Sequence, residues 1–222
     1  MLGLIGPNGA GKTTFINLLT GALYPQQGSV YLRGTDITRL PTERRVRAGL
    51  ARTHQIVRPF TRLSVIDNVA LAAGRQRTAS ALHSLFEFRR SEERGRAAAV
   101  LERLGLGAVL DRNPAELPLG QLKRLEVARA LALDPDILLL DEPLAGLNQR
   151  EAAALAKTIA ELNQEGLTII LVEHNLAEVL NISTRLAVLD RGQFIAEGPC
   201  QAVIDLPEVR DAYIGKAQPA NA

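Results

Sequence analysis

The chain has 222 residues, of which 46% are hydrophobic and 23% charged, and its formal net charge is +2. These values are typical of a globular protein with a sizeable core, and the small charge does not indicate a nucleic-acid partner. No apolar run approaches the ~20 residues of a membrane span, and the first residues lack the charged segment of a signal peptide. The single cysteine, Cys200, excludes an internal disulfide framework and suits a reducing cytosol.

Apolar runs alternate with stretches of helical spacing, which predicts an α/β fold with a parallel sheet. The region that ends near residue 133 is rich in Ala, Leu, Arg and Glu and poor in strand signals, so we expect a helical subdomain there. The predicted division is a single domain, with an α/β core at 1–62 and 134–222 and the inserted helical subdomain at about 63–133.

Individual elements are predicted from apolar runs, helix caps and terminal glycines. The predicted strands are 2–5, 28–33, 50–53, 137–140, 168–172, 185–189 and 194–196, the last two forming a hairpin around Arg191 and Gly192. The predicted helices are 13–19 with Gly21 as C-cap, 42–49 capped by Thr42, 64–73 capped by Ser64, 148–165 capped by Asn148, and two short ones at the end. For the arginines between Arg39 and Arg62 the alternatives are a basic patch and a solvated face, and we favour the solvated face.

The segment that follows the first strand has the pattern of a phosphate-binding loop. Residues 6–13 fit G-x-x-x-x-G-K-[ST], in which glycines let backbone N–H groups converge on phosphate oxygens. Lys12 is placed to reach the β- and γ-phosphates, and the Thr13 hydroxyl to bind Mg²⁺. The positive end of the helix dipole would also face the phosphates. The predicted nucleotide-binding residues are Gly6, Pro7, Asn8, Gly9, Ala10, Gly11, Lys12, Thr13 and Thr14.

An acidic pair follows the apolar run at 137–140. Asp141 is placed to hold Mg²⁺ directly or through water, and Glu142 to orient and polarise an attacking water. A surface turn with two solvated carboxylates is disfavoured because the whole string is LLLDEP. We therefore expect Asp141 and Glu142 to lie beside the phosphate-binding loop.

Together, GPNGAGKTT and ILLLDEP resemble the ATP-binding subunits of ABC transporters. Further motifs occur in the family's order: RTHQIVRPF for the Q-loop, LPLGQ for the signature, AGLN for the D-loop and VEHN for the switch histidine. The resemblance implies that Gln55 contacts Mg²⁺ and takes part in catalysis, that Gly120 and Gln121 contact nucleotide, and that His174 is catalytic. Alone, Gln55 would be an ordinary loop residue and His174 a structural histidine; order and spacing carry the prediction.

The resemblance also implies a mechanism, cofactors and partners. In this family two ATPase subunits, identical or different, face each other head to tail, and each ATP lies between the phosphate loop of one chain and the signature of the other. ATP binding closes the dimer and hydrolysis reopens it, so ATP and Mg²⁺ are the expected cofactors. Two transmembrane permease subunits, contacted between Gln55 and Arg77, and indirectly a substrate-binding protein are the expected partners. The implied location is the cytoplasmic face of the inner (plasma) membrane.

A finer resemblance is to the ATPases that power uptake of branched-chain amino acids. The segments that carry it are RTHQIVRPFTRLSVIDNVALA, LKRLEVARALALDPDILLLDEPLAGLN and RDAYIGKA. The alternatives are a urea-uptake or lipopolysaccharide-export ATPase, or a truncated, poorly active nucleotide-binding subunit. A soluble ABC-type ATPase of DNA repair or translation would carry two cassettes or a long coiled coil, and a small-molecule kinase would lack the signature.

The chain departs from the family's pattern in two respects. In the signature, usually LSGGQ, Pro118 replaces the serine that would contact the γ-phosphate and Leu119 replaces a glycine, so we expect weaker ATP-driven closure. Asn148 stands where the D-loop often carries aspartate. Family members also have strands and an adenine-stacking aromatic before the phosphate loop. We expect these N-terminal β strands to be missing through truncation, which would leave the sheet edge near 28–33 unpaired.

Overall fold

The computed structural model describes residues 1–53, 58–74 and 87–214, which form a six-stranded sheet, a separate hairpin and flanking helices. The strands are β1 (Leu2–Ile5), β2 (Tyr31–Leu32), β3 (Thr35–Asp36), β4 (Leu50–Arg52), β5 (Ile137–Asp141), β6 (Thr168–Val172), β7 (Arg185–Asp190) and β8 (Gln193–Pro199). The helices are α1 (Lys12–Thr20), α2 (Thr42–Arg47), α3 (Val65–Gly74), α4 (Glu87–Arg103), α5 (Leu119–Leu131), α6 (Gln149–Gln164), α7 (Leu176–Ile182), α8 (Cys200–Ile204) and α9 (Pro207–Ile214), with short 3-10 turns at Gly107–Val109 and Pro114–Glu116.

The sheet has the order β4-β5-β6-β1-β7-β8, and neighbouring strands are parallel except for the antiparallel pair β7–β8. The predicted α/β fold with a mostly parallel sheet is therefore confirmed. In a parallel sheet the carboxyl ends of the strands lie at one edge, which is where ligands bind in open α/β folds. That edge receives the segments that follow β1, β5 and β6.

Alternating side chains divide the core between the two faces of the sheet. Leu138 and Leu140 of β5 belong to a cluster with Leu125 of α5 and other residues of α3, α4, α6 and α7. Leu139, which points the other way, belongs to a smaller cluster with Ile16 of α1. Successive side chains of a strand point to opposite faces of the sheet, and here both faces are covered. The first four positions of β5 are therefore apolar, which explains the continuous run ILLL.

The predicted strand at 28–33 is wrong in its extent. The predicted unpaired edge stays a prediction, because the described residues pair this strand on one side only, in a two-stranded sheet. Only Tyr31 and Leu32 are strand residues, and they pair antiparallel with Asp36 and Thr35. A tight turn at Arg33 and Gly34, whose φ values are 50° and 76°, ends the strand at Leu32, and Gly28, with a φ of 82°, lies outside it at the other end. Two consecutive residues with positive φ are typical of a two-residue hairpin turn.

Most predicted boundaries lie within one or two residues of the observed ones. Ser64 accepts a hydrogen bond from the backbone N–H of Asp67 at 3.3 Å, as expected of an N-cap, and Asn148 and Glu151 form a reciprocal capping box at the start of α6. Thr42, however, is the first residue of α2 rather than its cap, because Pro41 occupies the N-cap position and makes no side-chain cap. β8 extends beyond the predicted strand at both ends.

The prediction of a solvated arginine face is wrong for Arg45 and for Arg52. Arg45 is completely buried, and its guanidinium reaches the last carbonyls of α1. Its four acceptors are the carbonyl oxygens of Leu18 at 2.6 Å, Leu19 at 2.7 Å, Thr38 at 2.8 Å and Leu40 at 2.9 Å. Arg45 therefore satisfies backbone groups that the end of a helix leaves unpaired.

Between Val65 and Leu131 the described residues contain only helices, 3-10 turns and loops. Helix α3 packs against α4 and α5, and the three share buried residues that include Val69, Leu101 and Leu125. Across the described ranges, no helix is both long and apolar enough to cross a membrane.

Candidate nucleotide-binding site

The loop between β1 and α1 follows a path that requires glycine at two positions. Gly6 has a φ of 156°, and a Cβ atom there would lie 2.1 Å from the carbonyl oxygen of Leu189. Gly11, the N-cap of α1, has a φ of 103°. Both conformations are unfavourable for residues with a side chain, so this backbone accounts for the first and last glycines of the predicted motif.

The side chain of Lys12 lies over this loop. Its Nζ atom donates to the carbonyl oxygens of Gly6 at 2.7 Å and Pro7 at 3.1 Å. Burial lowers the pKa of the Lys12 ammonium, while the nearby carboxylates of Glu142 and Asp141 act in the opposite direction. The predicted phosphate-binding lysine and the predicted acidic pair are thus close enough to interact electrostatically.

The first turn of α1 is arranged as an anion-binding terminus. Gly11 provides no side-chain cap, and Thr13 and Thr14 are exposed. Backbone N–H groups at such a terminus attract anionic groups through both hydrogen bonding and the helix dipole. The start of α1, within the predicted loop 6–14, therefore has the features of a helix terminus that can bind an anion.

The turn between β7 and β8 supports the loop from the other side. The backbone N–H of Gly192 donates to the carbonyl oxygen of Ala10 at 2.8 Å, and Leu189 contacts Gly6. Sequence reasoning predicted the hairpin but missed this contact, because the two segments are far apart in the chain and no short pattern connects them.

Asp141 is the last residue of β5, and its carboxylate is buried next to Arg52 at the end of β4. Arg52 Nη2 donates to Asp141 Oδ2 at 2.7 Å, and the backbone N–H of Asp141 donates to Thr53 Oγ1 at 3.2 Å. The carboxylate that was predicted to bind metal is therefore fixed in position by the neighbouring strand.

Glu142 lies in a sparsely populated backbone conformation, with a φ of 50°. Its backbone N–H donates to Val172 O at 2.9 Å, and its carbonyl accepts a bond from Lys123 Nζ at 3.0 Å. Nδ1 of His174, two residues after the end of β6, lies 4.0 Å from Glu142 Oε1. The structure thus brings together two residues that were predicted separately, the candidate general base and the candidate switch histidine.

Glu173, which precedes His174, is a functional candidate that sequence reasoning missed. Its side chain is only 1% exposed. Oε1 accepts the backbone N–H of Leu144 at 2.9 Å, and Oε2 is buried with no hydrogen-bond partner among the described residues. Burial is the main reason that the pKa of Glu173 rises to about 7. In the sequence, the only indication of a role for Glu173 is its acidic side chain within VEHN, and no neighbouring residue indicates that it is buried.

The signature segment packs against the start of α6 in the same chain. Helix α5 begins at Leu119, with Pro118 at the N-cap. A Cβ atom on Gly120 would lie 2.8 Å from Oε1 of Glu151, and one on Gly146 would lie 3.1 Å from Leu119 Cδ2. The signature and D-loop segments therefore form one contiguous surface.

The two predicted signature residues differ in their surroundings. Gly120 is buried against α6, whereas Gln121 is partly exposed and its Oε1 atom is buried without a hydrogen-bond partner in the described ranges. Asn148, the D-loop residue, uses Oδ1 to accept the Glu151 N–H at 3.0 Å. The side chain of Asn148 is thus engaged in helix capping. Gln55, the remaining predicted residue, lies outside the described residues.

The oxygen atoms at this edge of the sheet fit Mg²⁺. Within the part of the chain that the structure describes, no three His, Cys, Asp or Glu side chains form a metal-binding cluster. Mg²⁺ with nucleotide is usually held by one or two protein oxygens together with phosphates and waters. The carboxylate of Asp141 and the hydroxyl of Thr13 are groups of that kind.

Known proteins share both the sequence and the fold. Residues 1–145 match the family model described as ABC transporter. The chain is 42% identical over 223 aligned positions to the high-affinity branched-chain amino acid transport ATP-binding protein LivG of Escherichia coli (strain K12), covering 98% of this chain and 88% of that one. It is 34% identical to the lipopolysaccharide export system ATP-binding protein LptB of Acidithiobacillus ferridurans, covering 97% and 85%.

Among solved structures, the fold matches a crystal structure of a nucleotide-free ATP-binding cassette from an ABC transporter. The TM-score is 0.83 and the identity 35%, over 97% of this chain and 88% of that chain. The family, the fold and the arrangement of the loop, the acidic pair and the histidine agree with one another. The chain therefore belongs to the ABC transporter family and is one of its ATP-binding cassettes, the ATPases that power transport.

Proposed function

We propose that this chain hydrolyses ATP to power an ABC importer of branched-chain or other hydrophobic amino acids. The observation that carries the proposal is the convergence of Lys12, Asp141 and Glu142 at the carboxyl edge of the sheet. The amino acid substrate is supported by the 42% identity to LivG, which exceeds the 34% identity to the lipopolysaccharide-export relative.

Each predicted residue has a role in the proposed reaction. The backbone N–H groups of residues 6–14 and the Lys12 ammonium bind the phosphates, while Thr13 and Asp141 hold Mg²⁺. Mg²⁺ bound there would neutralise charge on the β- and γ-phosphates. Glu142 orients a water molecule and takes up its proton as the water oxygen attacks the γ-phosphorus. The bond from the γ-phosphorus to the bridging oxygen breaks, and ADP and phosphate leave.

The position of His174 beside Glu142 suits a group that hydrogen-bonds the transferring phosphate and keeps the glutamate oriented. Gln55 is proposed to contact the metal as the nucleotide arrives. These assignments follow the motif order and, for His174, the 4.0 Å separation of Nδ1 from Glu142 Oε1.

A second ATPase subunit, identical or different, is proposed to complete each site through its own Gly120 and Gln121 positions. Two permease subunits would dock on the α3 side of the cassette, where Phe60 and Leu71 are exposed apolar residues. That arrangement would place the chain at the cytoplasmic face of the membrane, with a substrate-binding protein acting from the opposite side. We retain the proposed division into an α/β core and a helical subdomain at about 63–133.

The test is ATP-driven uptake by the cassette reconstituted in proteoliposomes with its membrane subunits and binding protein. The proposal predicts leucine accumulation and ATP hydrolysis stimulated by leucine. Accumulation of urea but not leucine would favour the urea-uptake alternative, and transfer of lipopolysaccharide would favour the export alternative. Nucleotide binding without hydrolysis would favour the last alternative, a truncated, poorly active nucleotide-binding subunit. Lys12→Ala should abolish uptake. Lys157→Ala is the matched control, because Lys157 is an exposed lysine on α6, and this variant should take up leucine like the wild type.

A further inference from the structure

Arg52 connects three elements around the predicted metal position. It is the last residue of β4, its Nη2 atom donates to Asp141 Oδ2 on β5 at 2.7 Å, and its Nη1 atom donates to Asn17 Oδ1 on α1 at 2.6 Å. The side chains of Arg52 and Asp141 are only 14% and 5% exposed. Such a pair is shielded from solvent and from salt, unlike most surface ion pairs.

Arg52 is paired with the carboxylate of Asp141, the same carboxylate that the proposed function assigns to Mg²⁺. A buried carboxylate needs a positive partner, and a guanidinium and a divalent cation both meet that need. Oδ2 of Asp141 already accepts a charge-assisted hydrogen bond from Arg52, which is among the stronger kinds of hydrogen bond. The buried Arg52 Nε atom, by contrast, has no hydrogen-bond partner among the described residues, so the guanidinium is incompletely satisfied in this position.

We propose that Arg52 is an internal counter-ion of Asp141 that competes with the divalent metal and thereby sets the metal dependence of nucleotide binding. Without metal, Arg52 neutralises Asp141 and links the phosphate-loop helix to β5 through Asn17. When the metal–nucleotide complex binds, the contact between Arg52 and Asp141 weakens. This inference rests on the proposed function, because it assigns the metal to Asp141.

The competition has a thermodynamic signature, the ratio of the Kd for a non-hydrolysable ATP analogue in EDTA to its Kd in Mg²⁺. Arg52→Gln removes the competing charge but keeps hydrogen-bonding capacity toward Asn17. We expect this ratio to rise about tenfold, as removal of a close unit charge from a shielded carboxylate predicts. General damage to the site would weaken both binding reactions and leave the ratio unchanged, so the ratio distinguishes the two roles. Isothermal titration calorimetry measures both Kd values.

Arg33→Gln is the matched control. Arg33 pairs with Asp136 at 2.6 Å near the opposite end of β5, but these side chains are 68% and 40% exposed. The control should leave the ratio at the wild-type value. Asp141→Asn should collapse the ratio in both the wild-type and the Arg52→Gln backgrounds, because it removes the carboxylate for which both cations compete.

An unchanged or lower ratio in Arg52→Gln would overturn the inference while leaving the proposed function intact. Failure of wild-type protein to bind the nucleotide with or without Mg²⁺ would overturn the proposed function and the inference with it. If Arg52→Gln does not fold, Asn17→Ala replaces it, since that change removes one anchor of the guanidinium and leaves Asp141 untouched. A ratio in Asn17→Ala equal to that of the wild type would also contradict the proposal.

Discussion

Nδ1 of His174 lies 4.0 Å from Oε1 of Glu142, although the two residues follow different strands. The contact arises because β5 and β6 are parallel neighbours in register, with Asp141 opposite Val172. The residues that follow each strand therefore emerge side by side. A histidine in this position is able to hydrogen-bond both the glutamate and a phosphate oxygen.

Replacing His174 should reduce hydrolysis much more than nucleotide binding. We expect His174→Ala to lower kcat by about 100-fold, the range seen when one stabilising donor is removed from a reacting group. The affinity for ATP, measured by calorimetry, should change little, because Lys12 and the loop amides remain. His174→Gln should restore part of the rate through its side-chain N–H. A wild-type kcat in His174→Ala would contradict the proposed role.

Glu173 should make the stability of the protein depend on pH. Its pKa is raised from 4.5 to about 7 in the folded state, so the folded protein binds more protons than the unfolded chain between these values. The contribution of this group to stability is therefore fully present below pH 4.5 and is lost as the pH rises through about 7. The complete loss corresponds to about 3 kcal/mol of unfolding free energy.

Glu173→Gln tests this dependence because glutamine can still accept the Leu144 N–H but does not ionise. Urea unfolding at about pH 5 and about pH 8, on either side of the folded-state pKa of about 7, gives the free energies to be compared. The variant should gain stability relative to wild type on going to the higher pH. Equal pH dependence in the two proteins would show that Glu173 does not titrate in this range.

Arg45 should be a major determinant of stability, despite its position in an arginine-rich segment. Arg45→Ala leaves the four carbonyl acceptors at the end of α1 and in the following segment without their donor. We expect a loss of about 3 kcal/mol or more in unfolding free energy. The exposed neighbour change Arg44→Ala should stay within about 0.5 kcal/mol of wild type. Similar effects of the two substitutions in urea denaturation would refute the structural role.

Pro118→Ser should strengthen both helix α5 and the ATP-bound dimer. Pro118 is the N-cap of α5 and provides no side-chain hydrogen bond, whereas serine is a preferred N-cap. The substitution should add about 1 kcal/mol of stability. It should also shift ATP-dependent dimerisation to lower protein concentration in analytical ultracentrifugation, because the hydroxyl becomes available to a phosphate. If the variant is more stable but its ATP-dependent dimerisation is unchanged, serine caps the helix only, and the proposed contact of residue 118 with phosphate is contradicted.

The features that could be predicted from the sequence have local causes. Gly6 and Gly11 adopt backbone conformations that suit glycine, and Lys12 follows directly at the start of the helix. The string ILLLD is a strand buried on both faces, which explains why it was recognised and why Asp141 lies at the predicted edge. Patterns of this kind depend on a few adjacent residues, and tertiary packing does not alter them.

The features that were missed depend on contacts between distant segments. Arg45 and Arg52 belong to one arginine-rich stretch, yet each is buried for a different reason, one at a helix end and the other beside a carboxylate. Buried Glu173 accepts the backbone N–H of Leu144, which the sequence alone does not place next to it. The error at 28–33 was local, because residues with positive φ stand on both sides of the short strand, Gly28 before it and Arg33 and Gly34 after it.

Measurement of Mg²⁺-dependent phosphate release by wild-type protein and by Glu142→Gln tests the central claim most directly. We predict that the wild type hydrolyses ATP and that Glu142→Gln binds ATP but releases phosphate at least about 100-fold more slowly, through loss of the general base. Glu197→Gln, which changes a half-exposed glutamate on β8, should retain the wild-type rate. Hydrolysis by Glu142→Gln at the wild-type rate, or no ATP binding by either protein, would contradict the proposed function.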